Sequence, residues 1–393
     1  IWPDEQTQLL ENVQPNQVVT LDHGQANVRY TLPSPKRKPT FITELYPDNL
    51  MAHQEDHYND FDYEGLIYKK LSQEGPSLAV GDVNGDGNED FYLGGAHNQA
   101  GVIYLHTGGG KVVPKLSAAF EKDKIYEDVA AAFFDADADG DLDLMLGSGG
   151  NRIGVERNYK PRLYINDGAG NFTKSERELP SNFKNIATIA PFDFDDDGDV
   201  DVFIGSRSVV CVYGISPDHL FLENKGAGVF EDATERLAYD LKDAGMITGS
   251  KWVDLDGDNK KDLVVTTEWD SPKIYRNTGR RLSQMASPLD SLYGWWNTVE
   301  SADLDNDGDL DLVLGNQGLN IHYKPLSEQQ PMKIWINDFD NNGTIEQIVT
   351  QNYNGGDYPI HQKRELTEQL VSLKKENLKA SDYASRTISE LFP

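Results

Sequence analysis

Asp303-Leu304-Asp305-Asn306-Asp307-Gly308-Asp309-Leu310-Asp311, running on into Leu312-Val313-Leu314-Gly315, is the stretch whose reading decides the fold. Acidic side chains stand at positions 1, 3, 5 and 9 of a nine-residue loop, with glycine at position 6 and an apolar strand leading away. A hard divalent cation takes about six to eight oxygen ligands. Alternate residues of a tight loop point carboxylates at one centre, and the carbonyl of position 7, Asp309, adds another. Position 6 has to turn sharply, and glycine takes a positive φ at no steric cost.

The pattern recurs. Asp82, Asn84, Asp86, Gly87, Asn88 and Asp90 form the first copy; Asp135, Asp137, Asp139, Gly140, Asp141 and Asp143 the second; Asp193, Asp195, Asp197, Gly198, Asp199 and Asp201 the third. In the fourth, Asp254, Asp256, Asp258, Asn259, Lys260 and Asp262, asparagine replaces glycine; it too tolerates the left-handed region. The opening stretch is the fifth. The sixth is looser: Asp338, Asp340, Asn342, Gly343, Thr344 and Glu346. One such loop alone would read as a solvated acidic turn; six in register read as metal sites. With only oxygen donors and neither imidazole nor thiolate, calcium is expected rather than magnesium or zinc, about five or six ions in all.

The loops begin at Asp82, Asp135, Asp193, Asp254, Asp303 and Asp338, at spacings of 53, 58, 61, 49 and 35 residues. Around each runs a unit: strand, acidic loop, strand ending in Gly, then a strand such as Leu163-Tyr164-Ile165-Asn166 or Leu220-Phe221-Leu222-Glu223-Asn224, a Gly-rich turn and an aromatic. Four strands per repeat of about 40–60 residues is the pattern of a β-propeller blade. The expected fold is therefore all-β, a calcium-loop propeller of seven blades when complete. The short last spacing places the sixth loop between the outer strands of the fifth blade.

The 393 residues divide by composition into four parts. Residues 1–28 carry apolar pulses at Leu9–Leu10 and Val18–Leu21 about a turn at Gln14-Pro15-Asn16, read as two strands. Residues 29–60, with Pro33, Pro35 and Pro39 beside Lys36-Arg37-Lys38, read as an extended linker. Residues 61–358 form the propeller. In 359–393, Leu366, Leu370, Leu373 and Leu378 suggest a helix over Arg364–Lys379, and Ser381-Asp382 an N-cap for a second. The opening Ile1-Trp2-Pro3 reads as already inside a folded unit, so a piece of a longer polypeptide is expected.

The formal net charge of −29 excludes the basic footprint that nucleic-acid binding needs. Cys211, the only cysteine, allows no intrachain disulfide, and no apolar run is long enough for a membrane-spanning helix. The insertion at 149–161 gathers Arg152, Arg157, Tyr159 and Lys160, and loops on a rigid scaffold often carry binding. Trp252, Trp295 and Trp296 read as blade-packing aromatics. His53, His57, His97, His106, His219, His322 and His361 are scattered without ligand spacing.

Together the Asp-x-Asp-x-Asp-Gly-x-x-Asp-Leu loop and the Leu-Tyr-x-Asn-x-Gly-x-Gly-x-Phe strand resemble the FG-GAP/VCBS propeller repeat. The segment from Ile1-Trp2-Pro3-Asp4 through Leu10-Glu11-Asn12-Val13-Gln14-Pro15-Asn16-Gln17-Val18-Val19-Thr20-Leu21 resembles the end of an ASPIC/UnbV domain, a pairing typical of the cartilage acidic protein family and its bacterial relatives. Asp338-Phe339-Asp340-Asn341-Asn342-Gly343 with the following helices is similar to large cell-surface members from Bacteroidota. The resemblance implies a bacterial surface or outer-membrane location, a protein or glycan partner such as an outer-membrane transporter, and a non-catalytic scaffold in nutrient uptake. Asn84, Asn259 and Asn342 depart from the repeat and weaken charge or geometry in their loops. Two other readings stand beside it. One is a calcium-dependent lyase-like propeller drawing on Arg152, Arg157 and Tyr159. The other is a structural spacer.

Overall fold

The computed structural model describes residues 4, 6–10, 19–29, 50–376 and 379–393. They fall into two compact units, Ile1–Pro47 and Asp48–Pro393. In the first, β1 (Gln6–Thr7) pairs antiparallel with β2 (Val28–Arg29). The strands expected at Leu9–Leu10 and Val18–Leu21 do not form: Leu9, Leu10, Val19 and Leu21 are exposed and outside any ladder. A two-residue ladder offers no face to bury them. Val18 and the expected turn at 14–16 lie outside the described residues, as do 30–49 of the expected linker.

The second unit is a series of antiparallel meanders. The first sheet is β3 (Leu78–Gly81), β4 (Asp90–Leu93), β5 (Val102–His106) and β6 (Val112–Lys115). The second is β7 (Glu127–Phe134), β8 (Asp143–Gly149), β9 (Pro161–Ile165) and β10 (Thr173–Lys174). The third is β11 (Asn185–Phe192), β12 (Asp201–Ser208), β13 (Leu220–Asn224) and β14 (Phe230–Asp232). The fourth is β15 (Met246–Val253), β16 (Asp262–Asp270), β17 (Lys273–Asn277) and β18 (Leu282–Met285). Next comes a hairpin of β19 (Gly294–Ala302) and β20 (Asp311–Asn316), then a three-stranded sheet of β21 (Met332–Asn337), β22 (Glu346–Tyr353) and β23 (Gly356–Pro359).

The first strands of successive sheets pack in order, β3 on β7, β7 on β11, β11 on β15 and β15 on β19. The second strands of the second and third sheets are buried on both faces. Leu144 and Leu146 join the core shared with the first sheet, and Met145 the core shared with the third. Val202 and Ile204 face back to the second sheet, while Phe203 faces the fourth. That is why Asp-Leu-Met-Leu-Gly and Asp-Val-Phe-Ile-Gly read as continuous apolar runs. The closing glycines are forced by close approach: a Cβ on Gly147 would lie 2.5 Å from Ile186 Cγ2, and on Gly205 2.6 Å from Ile247 Cγ2. Sheets stacked side by side about their first strands form a β-propeller. The described residues of this unit hold five sheets, because β16 also pairs with β19, Glu268 opposite Trp295 and Asp270 opposite Gly294, and so joins the fourth meander and the hairpin into one six-stranded sheet.

Three expectations are corrected. The sixth loop lies between the first two strands of its own sheet, β21 and β22, and not within the fifth blade. The last spacing is short because the fifth unit, β19–β20, has no third and fourth strands of its own. Residues 50–60 are not a linker. With 61–74 they form a strap free of strands that meets Arg207 and Glu268 near the ends of β12 and β16, Asn151 after β8, and Gln347 at the start of β22. Glu64 accepts from Tyr213 N–H (2.7 Å), Asn151 Nδ2 (2.6 Å) and Gln347 Nε2 (3.0 Å). Glu268 accepts from Lys69 Nζ, Arg207 Nη1 and Tyr213 Oη, each at 2.8 Å. Finally, the helix expected over 364–379 breaks into Lys363–Gln369 and Leu373–Glu376, followed by Ala380–Ala384 and Ile388–Leu391. Ser381 and Asp382 sit inside a helix rather than capping it. Leu366, Leu370 and Leu373 are buried against Leu66 and Ile348; Leu378 lies outside the described residues.

Candidate metal centres in the acidic loops

All six loops share one backbone. Position 6 has positive φ throughout: 84° at Gly87, 96° at Gly140, 92° at Gly198, 65° at Asn259, 99° at Gly308 and 88° at Gly343. Position 4 is left-handed as well, at Gly85, Ala138, Asp196, Gly257, Asn306 and Asn341, a requirement the sequence reading missed. The position 6 N–H donates to position 1 in every loop, at 2.8 Å for Gly87 to Asp82 and 3.2 Å for Gly308 to Asp303. Position 7, namely Asn88, Asp141, Asp199, Lys260, Asp309 and Thr344, donates its N–H to the side chain at position 5.

Five loops bring three carboxylates together, their oxygens within 4.8 Å of one another: Asp135, Asp137 and Asp143; Asp193, Asp195 and Asp197; Asp254, Asp256 and Asp258; Asp303, Asp305 and Asp311; Asp338, Asp340 and Glu346. Asp139, Asp201, Asp262 and Asp307 stand outside those groups. The first loop forms no such group among the described residues; its Asp82 is turned onto the N–H groups of Gly85, Asp86 and Gly87. In the fourth loop Arg276 pairs with Asp256 at 2.5 Å and reaches Asp258 at 3.6 Å, so a side-chain cation already serves those carboxylates.

The donor set fits a cation in the second, third and sixth loops. Asp135 Oδ1, Asp137 Oδ1, Asp193 Oδ1 and Asp340 Oδ1 are buried with no hydrogen-bond partner among the described residues. Burial and the facing carboxylates raise the pKa of Asp137 and Asp195. Concentrated negative charge without a counter-charge favours a proton or a metal.

Position 9 ties the loop into the sheet. Asp143 Oδ2 accepts from Ala136 N–H (3.0 Å) and Oδ1 from Asn166 N–H (2.8 Å); Asp201 treats Phe194 and Asn224 likewise. Burial pushes both carboxyls up to about 7. It also raises Asp90, Asp262 and Glu346. The asparagines go further. Asn166 Nδ2 donates to Val83 O in the preceding sheet's loop (2.8 Å), and Asn224 Nδ2 to Ala136 O (2.9 Å). The sequence reading quoted the strands that end in Asn166 and Asn224 but not these locks between blades, whose partner carbonyls lie in the loop of the preceding sheet.

In the 149–161 insertion, Tyr159 is buried, its hydroxyl accepting from Arg152 N–H (2.7 Å) and donating to Arg152 O (3.3 Å). Arg152 pairs with Asp56 of the strap and lies over the Tyr58 ring. Both are spent on structure. Arg157 and Lys160 line a separate groove. Trp252 and Trp295 are buried as expected and Trp296 is half-buried. His219 is buried, accepting from Ser206 N–H (3.1 Å).

Residues 82–146, 135–204 and 254–314 each match the family model of the FG-GAP-like repeat. The chain carries FG-GAP-like repeats. The matched stretches contain the first five acidic loops and leave out residues 205–253, which lie between the third and the fourth. No curated protein matches in sequence. Among solved structures, the chain is similar to an Agrocybe aegerita lectin that recognises non-reducing terminal N-acetylglucosamine, at 15% identity and TM-score 0.37, over 80% of this chain and 70% of the lectin. It is similar to the V. cholerae biofilm matrix protein Bap1 at 18% identity and TM-score 0.33, over 72% of this chain and 38% of that one. For a Bacillus licheniformis rhamnogalacturonan lyase the values are 12% and 0.37, over 73% and 57%. The chain thus spans well under two thirds of the biofilm protein and of the lyase.

Proposed function

We propose that this chain is a calcium-clamped, non-catalytic binding module that displays the loops of its repeats to a protein or glycan outside the cell. The observation that carries the metal half is the set of buried, unpartnered carboxylate oxygens at Asp135, Asp137, Asp193 and Asp340. Calcium, when bound, supplies the positive charge those oxygens face. Support for a binding rather than catalytic role comes from Arg152 and Tyr159, which are consumed by bonds to the strap and to their own loop. The resemblance to ASPIC/UnbV proteins of Bacteroidota extends the reading to a cell-surface assembly beside an outer-membrane transporter. Elemental analysis and calorimetric titration test the metal: several calcium ions per chain are expected, and stoichiometric zinc without calcium would overturn it. New ultraviolet absorbance on incubation with acidic glycans would show eliminative chemistry and replace the binding module with a lyase.

A further inference from the structure

A groove of about 620 Å³ on the outer edge of the second sheet is lined by Arg157, Lys160, Arg162, Lys174, Arg177 and Phe183, among others. That size lies within the ordinary range of ligand sites. Five cations converge there in a chain of net charge −29. The carboxylates lining it, Glu176 and Glu178, are both exposed.

The floor is rigid. Arg162 is buried, pairs with Asp128, donates to Tyr164 Oη (3.0 Å) and lies 4.4 Å from the Tyr126 ring centroid. The rim has charge to spare. Among the described residues Arg157 makes no ion pair. Lys160 meets Glu178 only at 3.9 Å, and that glutamate is 91% exposed. Arg177 donates one N–H to Ala227 O (2.5 Å), leaving the rest of its fork open. Lys174 is the one rim cation held closely by a carboxylate, Asp123 at 2.7 Å.

Phe183 is the second, independent observation. It is 44% exposed, and its φ of 54° is one that a bulky residue rarely adopts. The backbone is pinned on either side: Asn182 Nδ2 donates to Asp218 O (2.6 Å), and Ser181 Oγ accepts from Phe183 N–H (3.2 Å). Strain held in place at a groove is a mark of a working site.

We infer that this groove binds a carboxylate-bearing saccharide, an oligosaccharide containing uronate residues. This deepens the reading as a binding module and rests on it. The guanidinium forks of Arg157 and Arg177 suit a carboxylate. The Phe183 ring face suits the C–H face of a sugar, as an amphipathic platform. A densely charged polymer such as nucleic acid is repelled by the acidic remainder of the chain.

The test is calorimetric titration of the full chain with a trigalacturonate, against a neutral galactose trisaccharide and an acidic peptide of equal charge. Phe183→Gly relieves the backbone while removing the ring. It should keep or raise the melting temperature and weaken trigalacturonate binding at least tenfold. The pair Arg157→Ser with Lys160→Ser should lose a similar factor and reduce the salt dependence. Equal binding of the neutral sugar or of the peptide overturns the ligand class. Wild-type affinity in both variants overturns the site, while glycan binding elsewhere on the chain leaves the module reading standing.

Discussion

The third sheet and the β19–β20 hairpin carry the same acidic loop without a departure in either, Asp193 to Asp201 in one and Asp303 to Asp311 in the other. Their local bonds also agree. Gly198 and Gly308 donate to position 1, and position 9 accepts from the N–H of Phe194 or Leu304. Yet Asp201 is 2% exposed, while Ala302–Asp311 is exposed throughout. The difference is a third strand. Through β13 the third sheet brings Asn224, whose N–H occupies the second oxygen of Asp201 and whose amide reaches the preceding loop. The hairpin has no such strand. The nine residues therefore encode a turn, and burial is conferred by the sheet that follows.

The largest expected contrast comes from removing position 9. Asp201→Ala leaves two buried N–H groups without acceptors, at about 1–3 kcal/mol each, so a loss of roughly 2–6 kcal/mol is expected. Asp311→Ala frees an exposed N–H to water and should cost under about 0.5 kcal/mol. Denaturant titration in excess chelator isolates the protein's own part. Equal losses would mean that the third strand is not what distinguishes the two loops.

The same strand predicts a pH effect. His219, at its start, is buried and receives the Ser206 N–H from β12. Burial holds its pKa down at about 3, against an ordinary 6.5. The unfolded chain therefore binds a proton between those values that the folded chain refuses. Stability is complete above about pH 6.5 and falls as pH drops toward 3, by at most roughly 5 kcal/mol from this group. His219→Gln keeps an acceptor without the titration, and should flatten the acid limb of a stability–pH curve. An unchanged limb would place the acid sensitivity elsewhere.

What was legible in the sequence divides along the same line. The strand–loop–strand unit is written in consecutive residues, so the Asp135 and Asp193 loops could be read and their repeat counted. The Asn166 and Asn224 locks bond to carbonyls more than 80 residues earlier, and no local pattern marks such a partner. The strap escaped for a related reason. Glu64 has no periodicity around it, and its worth lies in Asn151, Tyr213 and Gln347. The sixth loop was misplaced because spacing was taken for blade membership, whereas the preceding unit stops at two strands.

Two valines test whether the turn itself is the same in both places. Gly198 and Gly308 have φ of 92° and 99°, and a Cβ on either would meet nothing within 4 Å. The cost of Gly198→Val and Gly308→Val is then backbone strain alone, about 1–3 kcal/mol each. The two losses should agree within about 0.5 kcal/mol by thermal melting. A clear inequality would show that the support around the third loop reaches into its turn.

The smallest effect probes position 4, where the second loop is strained and the fifth is not. Ala138 has φ of 64°, and Asn306 has φ of 61°. A left-handed backbone costs alanine about 1–2 kcal/mol, because Cβ crowds the following carbonyl. Asparagine visits that region far more readily. Glycine has no Cβ to crowd, but loses more chain entropy on folding, about 0.5–1 kcal/mol relative to alanine. The balance favours Ala138→Gly by roughly 0.5–1 kcal/mol, and leaves Asn306→Gly near zero or slightly unfavourable. Melting of both variants, with calcium and with chelator, reads the difference directly. Because the strain sits in the backbone rather than in a ligand, the gain at Ala138 should survive chelation. If Ala138→Gly lowers the melting temperature in both conditions, position 4 of the second loop is not left-handed in solution, and the common backbone of the six loops breaks at that residue.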